Sequence, residues 1–77
     1  MERTLAELPV GSIGRIAGFK KGYKHYKQKL MSMGLIPNTS FEVTRVAPMG
    51  DPVEIFIKDY NLSLRRDEAQ AVLVEGA

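Results

Sequence analysis

Cysteine and tryptophan are absent and histidine occurs once, at position 25, in a chain of 77 residues. The missing cysteines exclude a disulfide framework, and a single imidazole is too little for a tight zinc site, which wants several Cys or His ligands. His25 also lies among lysines with no acidic neighbour in sequence to orient it, so no activated nucleophile or paired base is at hand. A Gly-rich run ending in Lys and Ser or Thr before a helix is missing too, which removes the usual phosphate cradle. Asp67 and Glu68 are adjacent, diverge on a helical turn and suit helix-start charge better than acid-base work. The expectation is a protein that is not an enzyme, with no catalytic residue, no metal ligand and no cofactor.

Long apolar runs are lacking as well. Nothing approaches the roughly 18 continuous apolar residues of a membrane span, and Met1-Glu2-Arg3-Thr4-Leu5 has no signal-peptide stretch. The cytoplasm is the expected compartment, with which the lack of cysteine agrees. Acidic residues are missing from one half. Between Leu8 and Phe41 there are Arg15, Lys20, Lys21, Lys24, Lys27 and Lys29 and no Asp or Glu, whereas from Glu42 onward acids outnumber bases. The net charge of +2 therefore hides a basic block that suits either steering of an acidic partner or a solvated helix face.

What is present reads as one small domain over residues 1–77, with 44% hydrophobic and 26% charged residues. So short a chain has little core, and without disulfide or metal staples it is left with oligomerisation or docking on a larger protein. Apolar bulk at Ile13, Ile16 and Phe19 predicts a first strand, which Gly14 and Gly18 bend or bulge. Tyr23, Tyr26, Leu30 and Met33 recur at helical spacing, which predicts a helix over 23–33 stopped by Gly34 and Pro37. Pro37-Asn38 fits the centre of a type II turn.

Beyond it, Phe41, Val43 and Arg45 alternate with Glu42, Thr44 and Val46 in a strand that the proline-rich stretch 47–52 ends. Val53, Ile55 and Ile57 predict another strand. Asp59-Tyr60-Asn61 reads as a tight connection to Leu62 and Leu64, residues 66–70 as a helical turn, and Val72 with Val74 as a closing strand. The predicted fold class is mainly β: a small SH3-like barrel of about five strands with a short helix inserted between strands 1 and 2, an OB-type barrel being the rival.

The run from Lys20 to Lys27 interleaves cations with Tyr23 and Tyr26, a combination that phosphate contacts plus base stacking would use. RNA binding is thus an alternative, opposed by the apolar placing of both tyrosines. Met31, Met33 and Met49 read as core or interface filler.

The segment Tyr26-Lys27-Gln28-Lys29-Leu30-Met31-Ser32-Met33-Gly34-Leu35-Ile36-Pro37 resembles the FeoA family, the small cytosolic component of bacterial ferrous iron uptake. So do Arg45-Val46-Ala47-Pro48-Met49-Gly50-Asp51-Pro52-Val53, Leu62-Ser63-Leu64-Arg65 and Val72-Leu73-Val74, in the same order along the chain. Asn38 departs from the glycine usual there but also tolerates positive φ. The resemblance implies an SH3-like accessory of FeoB, a membrane ferrous iron transporter with a cytosolic GTPase domain, and does not imply iron binding. Iron-dependent repressors of the DtxR type carry a similar domain, so a detached regulatory module is a neighbouring reading.

The partner-binding residues expected from this resemblance are Lys24, Tyr26, Lys27, Leu30, Met31 and Met33. Leu30 has two competing roles, anchor of the helix or direct contact. Met31 lies off the apolar stripe and suits exposed contact, and Lys24 and Lys27 add charge steering. The loop Pro48 to Pro52 is a second candidate contact.

Overall fold

The structure, a computed structural model, describes residues 3–76 without the side chain of Lys24. The strands are β1 (Arg3–Thr4), β2 (Ile13–Phe19), β3 (Ser40–Val46), β4 (Val53–Ile57), β5 (Tyr60–Leu64) and β6 (Val72–Gly76). Helix α1 (Lys24–Ser32) falls between β2 and β3, and α2 (Arg66–Gln70) between β5 and β6. Single 3-10 turns occupy Leu5–Glu7 and Pro48–Gly50. All strand pairs are antiparallel, in the order β1-β6-β2-β3-β4-β5.

The mainly β architecture with an early helix is as expected, with one addition. Arg3 and Thr4 pair with Val74 and Leu73, so a strand precedes those foreseen and α1 lies between the second and third. Two residues are too short for any periodicity, and their pairing depends on a segment at the other end of the chain. The sheet is only partly closed: among the described residues β1 and β5 remain its edges. Helix α2 packs against the Leu5–Glu7 turn, β5 and β6, and so covers the gap that ladder hydrogen bonds leave.

Alternation sends Ile16, Val43, Ile55, Ile57, Leu64 and Val72 into one core with 0% exposure. Each such side chain stabilises the fold by about 1.5–3 kcal/mol. Two bulges break the period. In β2 the register shifts between Ile16 and Gly18, where glycine-driven bending is expected. In β3 it shifts between Val43 and Arg45, and Thr44, the extra residue, donates its hydroxyl to the Glu54 carbonyl at 3.2 Å. Arg45 therefore does not share the inner face with Phe41 and Val43; it is exposed, and Val46 turns inward opposite Val53.

The β4–β5 hairpin differs from expectation by one residue. Ile57 pairs with Tyr60, and Lys58 and Asp59 hold φ of 50° and 67°, the pair of positive values that a type I′ turn requires. Tyr60 thus opens β5 and is no part of the turn. Asn38 has φ of 73° behind Pro37, and the Thr39 N–H donates to the Ile36 carbonyl at 3.1 Å, which is the turn read from the sequence.

Candidate functional site

Helix α1 is positioned from its C-terminal end. Gly34 adopts φ of 104°, its N–H donates to the Met31 carbonyl at 3.1 Å, and the Leu35 N–H reaches back to the Leu30 carbonyl at 3.1 Å. That hydrogen-bond pair is a Schellman motif, in which the residues flanking the reversal also meet through apolar side chains. Leu30 and Leu35 are both at 0% exposure. A further clamp comes from the hairpin, where the Tyr60 hydroxyl donates to the Met33 carbonyl.

Charge fixes the helix from the other side. The Lys29 ammonium stands 2.8 Å from Glu68 Oε2, with the Glu68 side chain 8% exposed and that of Lys29 63% exposed. The second carboxylate oxygen accepts the Arg65 N–H at 2.9 Å at the start of α2. Burial pushes the Glu68 carboxyl upward, but the hydrogen bonds and charges of Lys29 and Arg65 outweigh it and hold the group below the ordinary carboxylate range. Lys29 is therefore a structural tie between the helices.

The residues expected to bind a partner divide accordingly. Leu30 lies in the core at 0% exposure, the place of a helix anchor. Tyr26 and Met33 are half-buried against that core. Tyr23 and Tyr26 stack on one another with ring centroids 5.9 Å apart, and His25 lies 4.3 Å from Tyr26 on the same measure. Lys27 is exposed, Met31 is 36% exposed, and the Lys24 side chain lies outside the described residues.

Lys27 and Met31 open onto a groove of about 370 Å³ between α1, the end of β2 and the turn after the helix. Its floor is Phe19, Tyr23, Met31 and Pro37, and its rim holds Lys20, Lys21 and Lys27. Lys27 and Met31 are expected contacts from the sequence, but Lys20 and Lys21 stand out there only as part of a basic run and Pro37 only as a helix stop and turn former, because only the fold brings the end of β2 alongside α1. Gly18 completes the groove, and a Cβ placed on it would meet nothing within 4 Å.

Met33 faces a different hollow of about 430 Å³, beside Lys29, Asp51 and Glu68, whose charged groups are engaged within the fold. The loop Pro48–Pro52 presents Met49 at 88% exposure and φ of 66°. Among the described residues no three His, Cys, Asp or Glu side chains stand together, and no helix is long and apolar enough to cross a membrane.

Known proteins share this fold. An FeoA-like protein from Clostridium acetobutylicum is 35% identical and matches over 96% of this chain and 85% of its own at a TM-score of 0.85. FeoA of Stenotrophomonas maltophilia, described as a procaryotic SH3 domain protein complexed with zinc, is 21% identical and matches over 95% of this chain and 89% of its own at a TM-score of 0.80, a likeness of fold. In sequence, an Fe(2+) transport protein A/Fe(2+) transporter FeoB fusion protein of Porphyromonas gingivalis is 35% identical over 71 residues, 92% of this chain but 8% of the fusion. The FeoA domain family matches residues 3–76, and the chain, an SH3-like domain, belongs to that family.

Proposed function

We infer that the chain is a cytoplasmic regulatory accessory of ferrous iron uptake that docks by protein-protein contact on the cytosolic GTPase domain of a FeoB-type transporter and catalyses nothing itself. The observation that carries this reading is the Porphyromonas gingivalis relative, in which a segment like this chain is fused to FeoB. Covalent linkage holds two modules at high effective concentration, an arrangement suited to parts that work in contact. The outward side of α1 is the docking face. Lys27 and Met31 supply charge and apolar contact there, while Tyr26 and Met33 support the helix from the core side.

The test is calorimetric titration of the chain with the purified cytosolic domain of such a transporter. Met31→Ala and Lys27→Glu are each expected to weaken binding about tenfold, the scale of one good interface contact, with circular dichroism unchanged. Normal binding by both folded variants would remove α1 as the docking face, and no binding by the unaltered chain would remove the direct-contact reading.

A further inference from the structure

We propose that the groove between α1 and the end of β2 receives an extended peptide segment of the partner, one that carries apolar side chains flanked by aspartate and glutamate. This rests on the docking reading above and names the chemistry of what docks. The groove combines an apolar floor of Phe19, Tyr23, Met31 and Pro37 with a rim of Lys20, Lys21 and Lys27. No acidic residue lines it, and none occurs anywhere between Leu8 and Phe41. Among the described residues the ion pair is Lys29 with Glu68, so no described carboxylate lies within 4.0 Å of the rim ammonium groups; Glu7, which shares a neighbouring hollow with Lys20, feels that charge only at longer range.

Three like charges around apolar surface repel one another and leave that surface wet. An acidic segment with apolar side chains relieves both at once, whereas a basic one meets repulsion. The backbone that carries Lys20 and Lys21 is also held in place. Lys20 donates its N–H to the Ala71 carbonyl at 2.9 Å, and its own carbonyl accepts the Tyr23 N–H at 3.3 Å across a turn in which Gly22 has φ of 95°. A preset backbone leaves only the lysine side chains to be ordered on binding.

Single-stranded RNA, the other anionic occupant, needs open aromatic faces on which bases stack. Here Tyr23 and Tyr26 stack against each other and are half-buried against the core. A peptide is favoured for that reason.

The test is fluorescence anisotropy of the full chain with a labelled synthetic peptide in which Glu and Asp flank a Leu-Phe pair. Its comparators are the same peptide with Lys in place of the acids and a labelled oligouridylate. The acidic peptide is expected to bind, to weaken about tenfold between about 0.05 and 0.5 M salt, and to bind at least about tenfold better than the lysine version. Gly18→Leu fills the groove where a Cβ meets no atom, at a residue whose φ is not in the left-handed region. It is expected to weaken the peptide at least about tenfold with circular dichroism unchanged.

The double variant Lys20→Glu/Lys21→Glu, both exposed positions, gives the same loss without filling the groove and stands if Gly18→Leu folds poorly. Equal binding of the two peptides, indifference to both variants, or oligouridylate bound with the Gly18 sensitivity in place of the peptide would each overturn the proposal. Titration with the transporter domain separates the two readings. Loss on Met31→Ala with no effect of Gly18→Leu keeps the docking face and overturns the groove; groove-sensitive peptide binding without transporter binding supports the groove and overturns the docking.

Discussion

Gly34 carries two constraints at once. Its φ of 104° is one that side chains rarely adopt, and a Cβ there would run into the Tyr60 hydroxyl that binds the Met33 carbonyl. Gly34→Ala is therefore expected to lower stability by about 2 kcal/mol, read as a fall in the urea midpoint. Tyr60→Phe removes the exposed hydrogen bond and leaves the backbone alone, for a loss of about 1 kcal/mol or less. Met49 gives the opposite sign. Its φ is 66° and its side chain is 88% exposed, so it bears left-handed strain with almost no burial in return. Met49→Gly is expected to raise stability by up to about 1 kcal/mol, read as a higher urea midpoint, relief of strain less the extra freedom of the unfolded glycine. Leu30 shows where reading residues alone stops: spacing placed it on the helix stripe but not what covers the stripe. Leu35 covers it through the Schellman reversal, and Leu30→Ala belongs with core truncations costing about 2–5 kcal/mol.

At the scale of elements, α1 spans 9 residues and starts without a side-chain cap, so propensity alone would not keep it folded. It holds because Leu30 is buried and Lys29 reaches Glu68. The Glu68 carboxyl is depressed in the folded chain relative to the unfolded one, since Lys29 and Arg65 outweigh the upward push of burial. Its contribution is thus complete above the unfolded carboxylate value and is lost as pH falls through the folded one. Glu68→Gln is expected to cost about 1 kcal/mol near neutrality, modest because Lys29 is 63% exposed and screened by solvent. Thermal melts of both forms should converge only once pH has fallen through the depressed folded value of Glu68; a gap that persists in stronger acid would assign the effect to packing. Elements with their own signals were legible in the sequence: α1 with its Gly34 stop, the Pro37-Asn38 turn and the alternation of β4. The bulge at Thr44 was not, because one extra residue in β3 leaves no compositional mark, and neither was a type I′ turn built on Lys58 and Asp59 in place of the usual Asn-Gly. For the candidate site, the helix half was legible and the β2 half was not, since the approach of Gly18 and Phe19 to Met31 depends on the fold.

The whole molecule is held together by its most sequence-distant pairing. Val74 lies opposite Arg3 of β1 on one side and Ile16 of β2 on the other, and Leu73 is likewise shared between Thr4 and Gly18. The last strand described is thus an interior strand of the sheet, while β5, nearer the middle of the chain, forms an edge. No periodicity in Val72–Gly76 distinguishes an interior strand from an edge, because that distinction depends on a two-residue strand at the far end. It has a measurable consequence. Segments near chain ends ordinarily fray, and their amides exchange through local opening at little cost in free energy. Opening β6 here would unpair β1 and β2 together and expose Val72 and Val74, so local opening costs nearly as much as global unfolding. Native-state hydrogen exchange should therefore place the hydrogen-bonded amides of β6 in the slowest class, with an opening free energy equal to that from denaturant unfolding. Those of edge strand β5 should exchange faster. Rapid exchange in β6 would mean that β2 to β5 hold the core without it, and Val72→Ala would then cost far less than the roughly 2 kcal/mol or more of a buried truncation.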